Sequence, residues 1–95
     1  MRVFRLFGGA ARQWGNSWTV ADPRKLPNPR DALGLPDANT AEWLIIGELA
    51  DHTKVRERRA LPLDRNGGGA PELLVLSPEE QIVIIEIVGM ELRDE

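Results

Sequence analysis

Three polar side chains stand where structure alone does not ask for them: Arg5, Ser17 and Glu72. Arg5 lies inside Phe4-Arg5-Leu6-Phe7 and is followed directly by Gly8-Gly9. An arginine in an apolar strand needs a partner, because an unpaired buried charge is very costly. Glycine lets backbone approach a ligand closely, and a guanidinium suits phosphate and carboxylate groups. A structural Arg–Glu pair across a sheet would produce the same pattern. Asn16-Ser17-Trp18-Thr19 brackets an aromatic with hydroxyls at the head of a short strand. That segment also reads as a β-prone edge around a core tryptophan. Glu72 opens the run Leu73-Leu74-Val75 behind Gly67-Gly68-Gly69-Ala70-Pro71, which puts a carboxylate beside a loop that can move. A solvated glutamate is the plain alternative.

Other chemistries fit less well. Ser-His-Asp catalysis would need His52 as its base, yet no nucleophile-elbow sequence surrounds Ser17. The glycine loop lacks the Lys-Ser/Thr of a phosphate cradle, and no helix can begin there. A glycoside hydrolase needs a second buried carboxylate that the sequence does not mark. With no cysteine and one histidine, only carboxylates are left to complete a metal site, so no metal centre is expected. The net charge of −3 argues against a nucleic-acid binder, which wants a basic stripe. The run Lys54-Val55-Arg56-Glu57-Arg58-Arg59 partly offsets that charge. It reads as a solvated segment between strands, or as the grip of a small RNA-cleaving toxin in which His52 lacks an acid–base partner.

The elements that must carry these residues are mostly strands. Val3 to Phe7 alternates as a strand that Gly8-Gly9 should stop, with Arg5 on the same side as Val3 and Phe7. Ser17 to Val20 gives a short second strand. Asp22-Pro23 should cap a helical turn through Lys25, and a further turn around Arg30 to Leu33 should end at Gly34. Trp43 to Leu49 is apolar enough to be a central strand. Residues 50–58 fit either a helical turn or a loop, and Ala60 to Leu63 is extended at most. Asp64 to Gly69 is expected to be a flexible loop, since three glycines cost a regular element too much entropy. Glu72 to Leu76 forms a strand, Ser77 to Glu80 a turn, and Gln81 to Val88 the last and most β-branched strand.

These 95 residues make one domain, 1–95, with 42% apolar and 28% charged residues, an ordinary globular balance. No apolar run approaches the ~20 residues of a membrane span, and Met1 to Arg5 lacks the apolar stretch of a signal peptide. The chain as written is expected in the cytoplasm. The fold class is α+β and strand-rich, with little helix.

Taken in order, the marked segments are more specific than any one alone. They read Phe4-Arg5-Leu6-Phe7-Gly8-Gly9, then Gly15-Asn16-Ser17-Trp18-Thr19, then Arg30 to Pro36, and finally Leu61 to Glu72. This order resembles the small ADP-ribosyltransferase domains of the arginine–serine–glutamate class, found at the C-termini of bacterial polymorphic toxins of the Rhs and filamentous-haemagglutinin kinds. The likeness covers most of residues 3–76, and its last block is the most distinctive.

The resemblance implies a split β-sheet with an NAD⁺ cleft between its halves and NAD⁺ as substrate. It implies a mono-ADP-ribosyltransferase, a toxin modifying a protein or RNA acceptor in the target cell. Delivery would be as the end of a larger secreted protein, and a cognate immunity protein would be a partner. By the same likeness Arg5 would hold a phosphate or ribose oxygen, Ser17 would orient the glutamate, and Glu72 would stabilise the cation growing at C1′. Gly8, Gly9, Trp18 and Thr19 would complete the NAD⁺ site, with Trp18 or Phe7 either stacking on the ligand or filling the core. Two departures matter. Where many relatives carry Glu-x-Glu, Ala70 stands in the first position, and Ser-Trp-Thr replaces Ser-Thr-Ser. The alternatives within reach are an NAD⁺ glycohydrolase and a non-catalytic binding module of the same fold.

Overall fold

Alternating and β-branched segments fold here into strands, and those at Arg2–Gly9 and Asn39–Leu49 bury residues on both faces. The computed structural model describes residues 1–50 and 55–90. His52 and Lys54, and with them the start of the basic run, lie outside the described residues.

β1 (Arg2–Gly9), β3 (Asn39–Leu49) and β6 (Ile82–Gly89) make one antiparallel sheet in the order β1-β3-β6. β2 (Ser17–Trp18), β5 (Pro71–Val75) and β4 (Val55–Arg59) make a second, in the order β2-β5-β4. Among the described residues, backbone hydrogen bonds join the sheets at one residue pair. The Phe4 amide donates to the Thr19 carbonyl at 2.8 Å, and the Thr19 amide donates back to Phe4 at 2.9 Å. The architecture is α+β and strand-rich. Among the described residues its helices are two four-residue turns, α1 (Pro29–Ala32) and α2 (Pro78–Gln81), with a 3₁₀ turn at Pro23–Lys25. Among the described residues no helix is long and apolar enough to cross a membrane.

The two faces of β1 divide the core. Val3 packs with Trp18, Ile45, Leu49, Leu73, Val75 and Ile82 between the sheets, and Phe7 adds to their edge. Phe4 and Leu6 pack with Ala41, Leu44 and Ile46 on the opposite face, covered by Leu33 and Leu35 beside α1. Arg5 therefore points to the side shared with Val3 and Phe7, as the alternation requires.

Several sequence expectations need correction. Gly8-Gly9 does not stop β1. The strand continues through a bulge, with Gly9 paired to Asn39, because both glycines adopt left-handed φ values of 152° and 58°. Residues 55–59 are neither helical turn nor loop: they form β4, paired to β5 with Arg58 opposite Glu72. The Asp64–Gly69 loop is fastened rather than loose. Gly67 donates to the Asp31 carboxylate at 2.8 Å, Gly68 to the Asp31 carbonyl at 2.7 Å, and Gly69 to Ala60 at 2.8 Å. The turn at Ser77 to Glu80 closes into α2.

The remaining caps follow the sequence. The Asp22 side chain accepts from the Arg24 amide, and Gly34 ends α1 at φ 57°.

Candidate active site

β1 delivers Arg5, β2 delivers Ser17 and β5 delivers Glu72 to a single cleft of about 410 Å³. That volume lies within the ~300–1,000 Å³ typical of small-molecule sites. One wall is the junction of the sheets at Phe4, Trp18 and Thr19; the facing wall is the segment Leu33-Gly34-Leu35-Pro36. Three residues singled out for chemistry, 12 and 55 positions apart along the chain, thus share one concavity.

Arg5 is held by the chain itself. Its Nε donates to the carbonyls of Arg12 and Gln13 at 3.2 Å, its Nη2 to Arg12 at 2.7 Å, and its Nη1 to the Ser17 carbonyl at 3.0 Å. Nη1 and Nη2 each carry one further N–H. Burial lowers the Arg5 pKa, and the group remains a cation. Gly15 makes this arrangement possible, because a Cβ there would strike the Arg5 guanidinium. Arg5 therefore ties the 12–13 loop to the strand that carries the serine.

The Ser17 hydroxyl donates to Oε2 of Glu72. The other carboxylate oxygen, Oε1, accepts from Nε of Arg58 at 2.5 Å. Glu72 is 13% exposed and Arg58 42%, so the carboxylate sits inward of the guanidinium. Two charge-assisted contacts on different strands fix the orientation of Glu72. Arg58 is a site residue that the sequence reading missed within a charged run. Only the pairing of β4 with β5 sets Arg58 opposite Glu72, and no signal in the sequence marks it.

The other expected NAD⁺ contacts divide. Trp18 and Thr19 border the cleft but are 2% and 3% exposed, and so belong mainly to the core. The Trp18 indole donates to the Gly15 carbonyl at 2.8 Å, and the Thr19 hydroxyl accepts from the Ala21 amide at 3.0 Å. Gly8 and Gly9 do not line the cleft. Their missing side chains make room instead for Thr40 and for the Ala38 carbonyl.

The Arg30–Pro36 and Leu61–Glu72 blocks build the far wall. Arg30 donates to the carbonyls of Asn39 at 2.6 Å and Pro36 at 3.1 Å, closing the turn that presents Leu35. The Asn66 side-chain Nδ2 donates to the Leu35 carbonyl at 2.5 Å, and the Asp64 carboxylate accepts from the Asp37 backbone amide at 2.7 Å. Asp31 holds Gly67 and Gly68. Arg30, Asp31, Asp64 and Asn66 thus act on backbone, and their product is a fixed wall of the cleft.

Chemically, the cleft offers two guanidinium groups, one carboxylate and one hydroxyl beside an apolar junction. Such a set suits a ligand that carries an anionic group. Comparison of the chain with protein-family models, with curated proteins and with solved structures gives no match.

Proposed function

We propose that this domain binds NAD⁺ in the Arg5–Ser17–Glu72 cleft and transfers its ADP-ribose, as a mono-ADP-ribosyltransferase of the arginine–serine–glutamate class. The observation that carries the reading is the Ser17–Glu72 hydrogen bond inside a cleft that Arg5 also lines. Two sheets joined at one residue pair, with the cleft at their junction, support the split-sheet form that the sequence resemblance implies.

In the proposed reaction the bond between C1′ of the ribose and the nicotinamide nitrogen breaks. Its electron pair leaves with nicotinamide, which becomes neutral, and positive charge grows at C1′. A fixed carboxylate in a water-poor site stabilises that charge more than it would in bulk water. Glu72 has this role, and Ser17 keeps its carboxylate aimed. An acceptor nucleophile then bonds to C1′ and gives up a proton. Arg5 positions the loop and strand that surround the nicotinamide end. A protein or RNA acceptor in a target cell, with a cognate immunity protein to block the cleft, completes the toxin reading.

One observation favours hydrolysis as a second reading. The position where many relatives guide the acceptor with a glutamate is Ala70, which is 9% exposed and bonded through its amide to Ala32. Water is then the acceptor that needs no guide. Incubation with NAD⁺ labelled in its adenylate phosphate and a bacterial lysate separates the two. Label on a macromolecule marks transfer, free ADP-ribose alone marks hydrolysis, and intact NAD⁺ contradicts both.

A further inference from the structure

Arg58 is the cation of the cleft whose donors are least used. Arg5 spends Nε and both amino groups on backbone carbonyls, whereas Arg58 makes one contact, from Nε to Glu72. Among the described residues, Nη1 and Nη2 of Arg58 donate to no protein group. The guanidinium lines the cleft from β4, opposite the wall formed by Leu33 to Pro36. A carboxylate at Nε leaves the two amino groups as a planar fork, the geometry that matches two oxygens of a phosphate.

Resting on the NAD⁺ reading above, we propose that Arg58 is a phosphate-binding residue of this cleft. It would hold Glu72 through Nε while Nη1 and Nη2 take oxygens of the dinucleotide's diphosphate. One side chain thereby couples occupancy by an anionic ligand to the aim of the carboxylate. It also neutralises part of the repulsion between Glu72 and the diphosphate, which Arg5, turned toward the backbone, is less free to do.

A double-mutant cycle on NAD⁺ affinity tests this, with wild type, Arg58→Gln, Glu72→Gln and the double variant titrated calorimetrically. A direct phosphate contact by a half-exposed arginine predicts about tenfold weaker binding in Arg58→Gln. Because the two side chains touch, part of that loss is shared with Glu72, but a several-fold loss should remain when Arg58→Gln is made on the Glu72→Gln background. If the loss vanishes there, Arg58 acts only through Glu72 and the proposal is overturned, while the NAD⁺ reading stands. If wild type itself does not bind NAD⁺, both are overturned. Should Arg58→Gln fail to fold, Arg58→Lys answers the same question on both backgrounds. It keeps the charge without the planar fork, and a several-fold loss with Glu72 absent is expected.

Discussion

The polar residues of the cleft are held by a chain of contacts in which each member positions the next. Arg5 fixes the backbone of Ser17, Ser17 donates to Glu72, and Glu72 accepts from Arg58. Gly15 sits at the start of that chain. A methyl group at Gly15 would collide with the Arg5 guanidinium, which four hydrogen bonds hold in place. Gly15→Ala is therefore expected to cost about 1–3 kcal/mol of stability, the scale of lost charge-assisted bonds. Urea unfolding would check this, and a wild-type midpoint would show that Arg5 moves aside freely. Arg5 and Glu72 were legible as charges within or at the head of apolar runs, and Ser17 as a hydroxyl beside an aromatic at the head of a strand. Arg58 was not legible in that way, since a run of alternating charges hides which member faces a cleft. Gly8 and Gly9 misled for a related reason: a glycine needed for φ looks the same in sequence as one needed for a ligand.

At the scale of elements, short polar contacts shape the cleft more than regular structure does. α1 is only four residues, yet its stop at Gly34 turns Leu35 and Pro36 into the wall. Gly34 has φ 57°, and a Cβ there would meet the Leu61 carbonyl oxygen. Gly34→Ala should destabilise by about 1 kcal/mol or more and weaken ligand binding with it. Loss of thermal stability without any change in affinity would contradict the wall's part in binding.

Asp22 offers a pH test on a second cap. Its hydrogen bond from the Arg24 side chain holds its pKa below the ordinary value of 3.8. A carboxylate depressed by folding stabilises above its unfolded pKa, and that stabilisation disappears as pH falls through the lower folded value. Asp22→Asn should thus melt below wild type at neutral pH, and the two should converge in strong acid. A gap that stays constant with pH would refute the assignment. Strands and caps of this kind were legible from periodicity, proline and glycine. β4 was not, because Arg56 to Arg59 is exposed and carries no apolar alternation.

At the scale of the molecule, two sheets share one buried cluster and, among the described residues, are bridged by a single backbone pair, so the cleft opens where the hydrogen-bonded ladder runs out. Strand-rich character and central β3 could be read from composition and apolar runs. The pairing order could not, because contacts such as Ser17 with Leu74 join residues far apart in sequence. The functional account rests on one proposition: Glu72, aimed by its neighbours, drives the departure of nicotinamide from NAD⁺. The direct measurement is the rate of nicotinamide release by wild type and by Glu72→Gln, after both are shown to be folded. The account predicts release by wild type and a fall of about 100-fold or more in the variant. Equal release by the two proteins, or none by wild type, would contradict it.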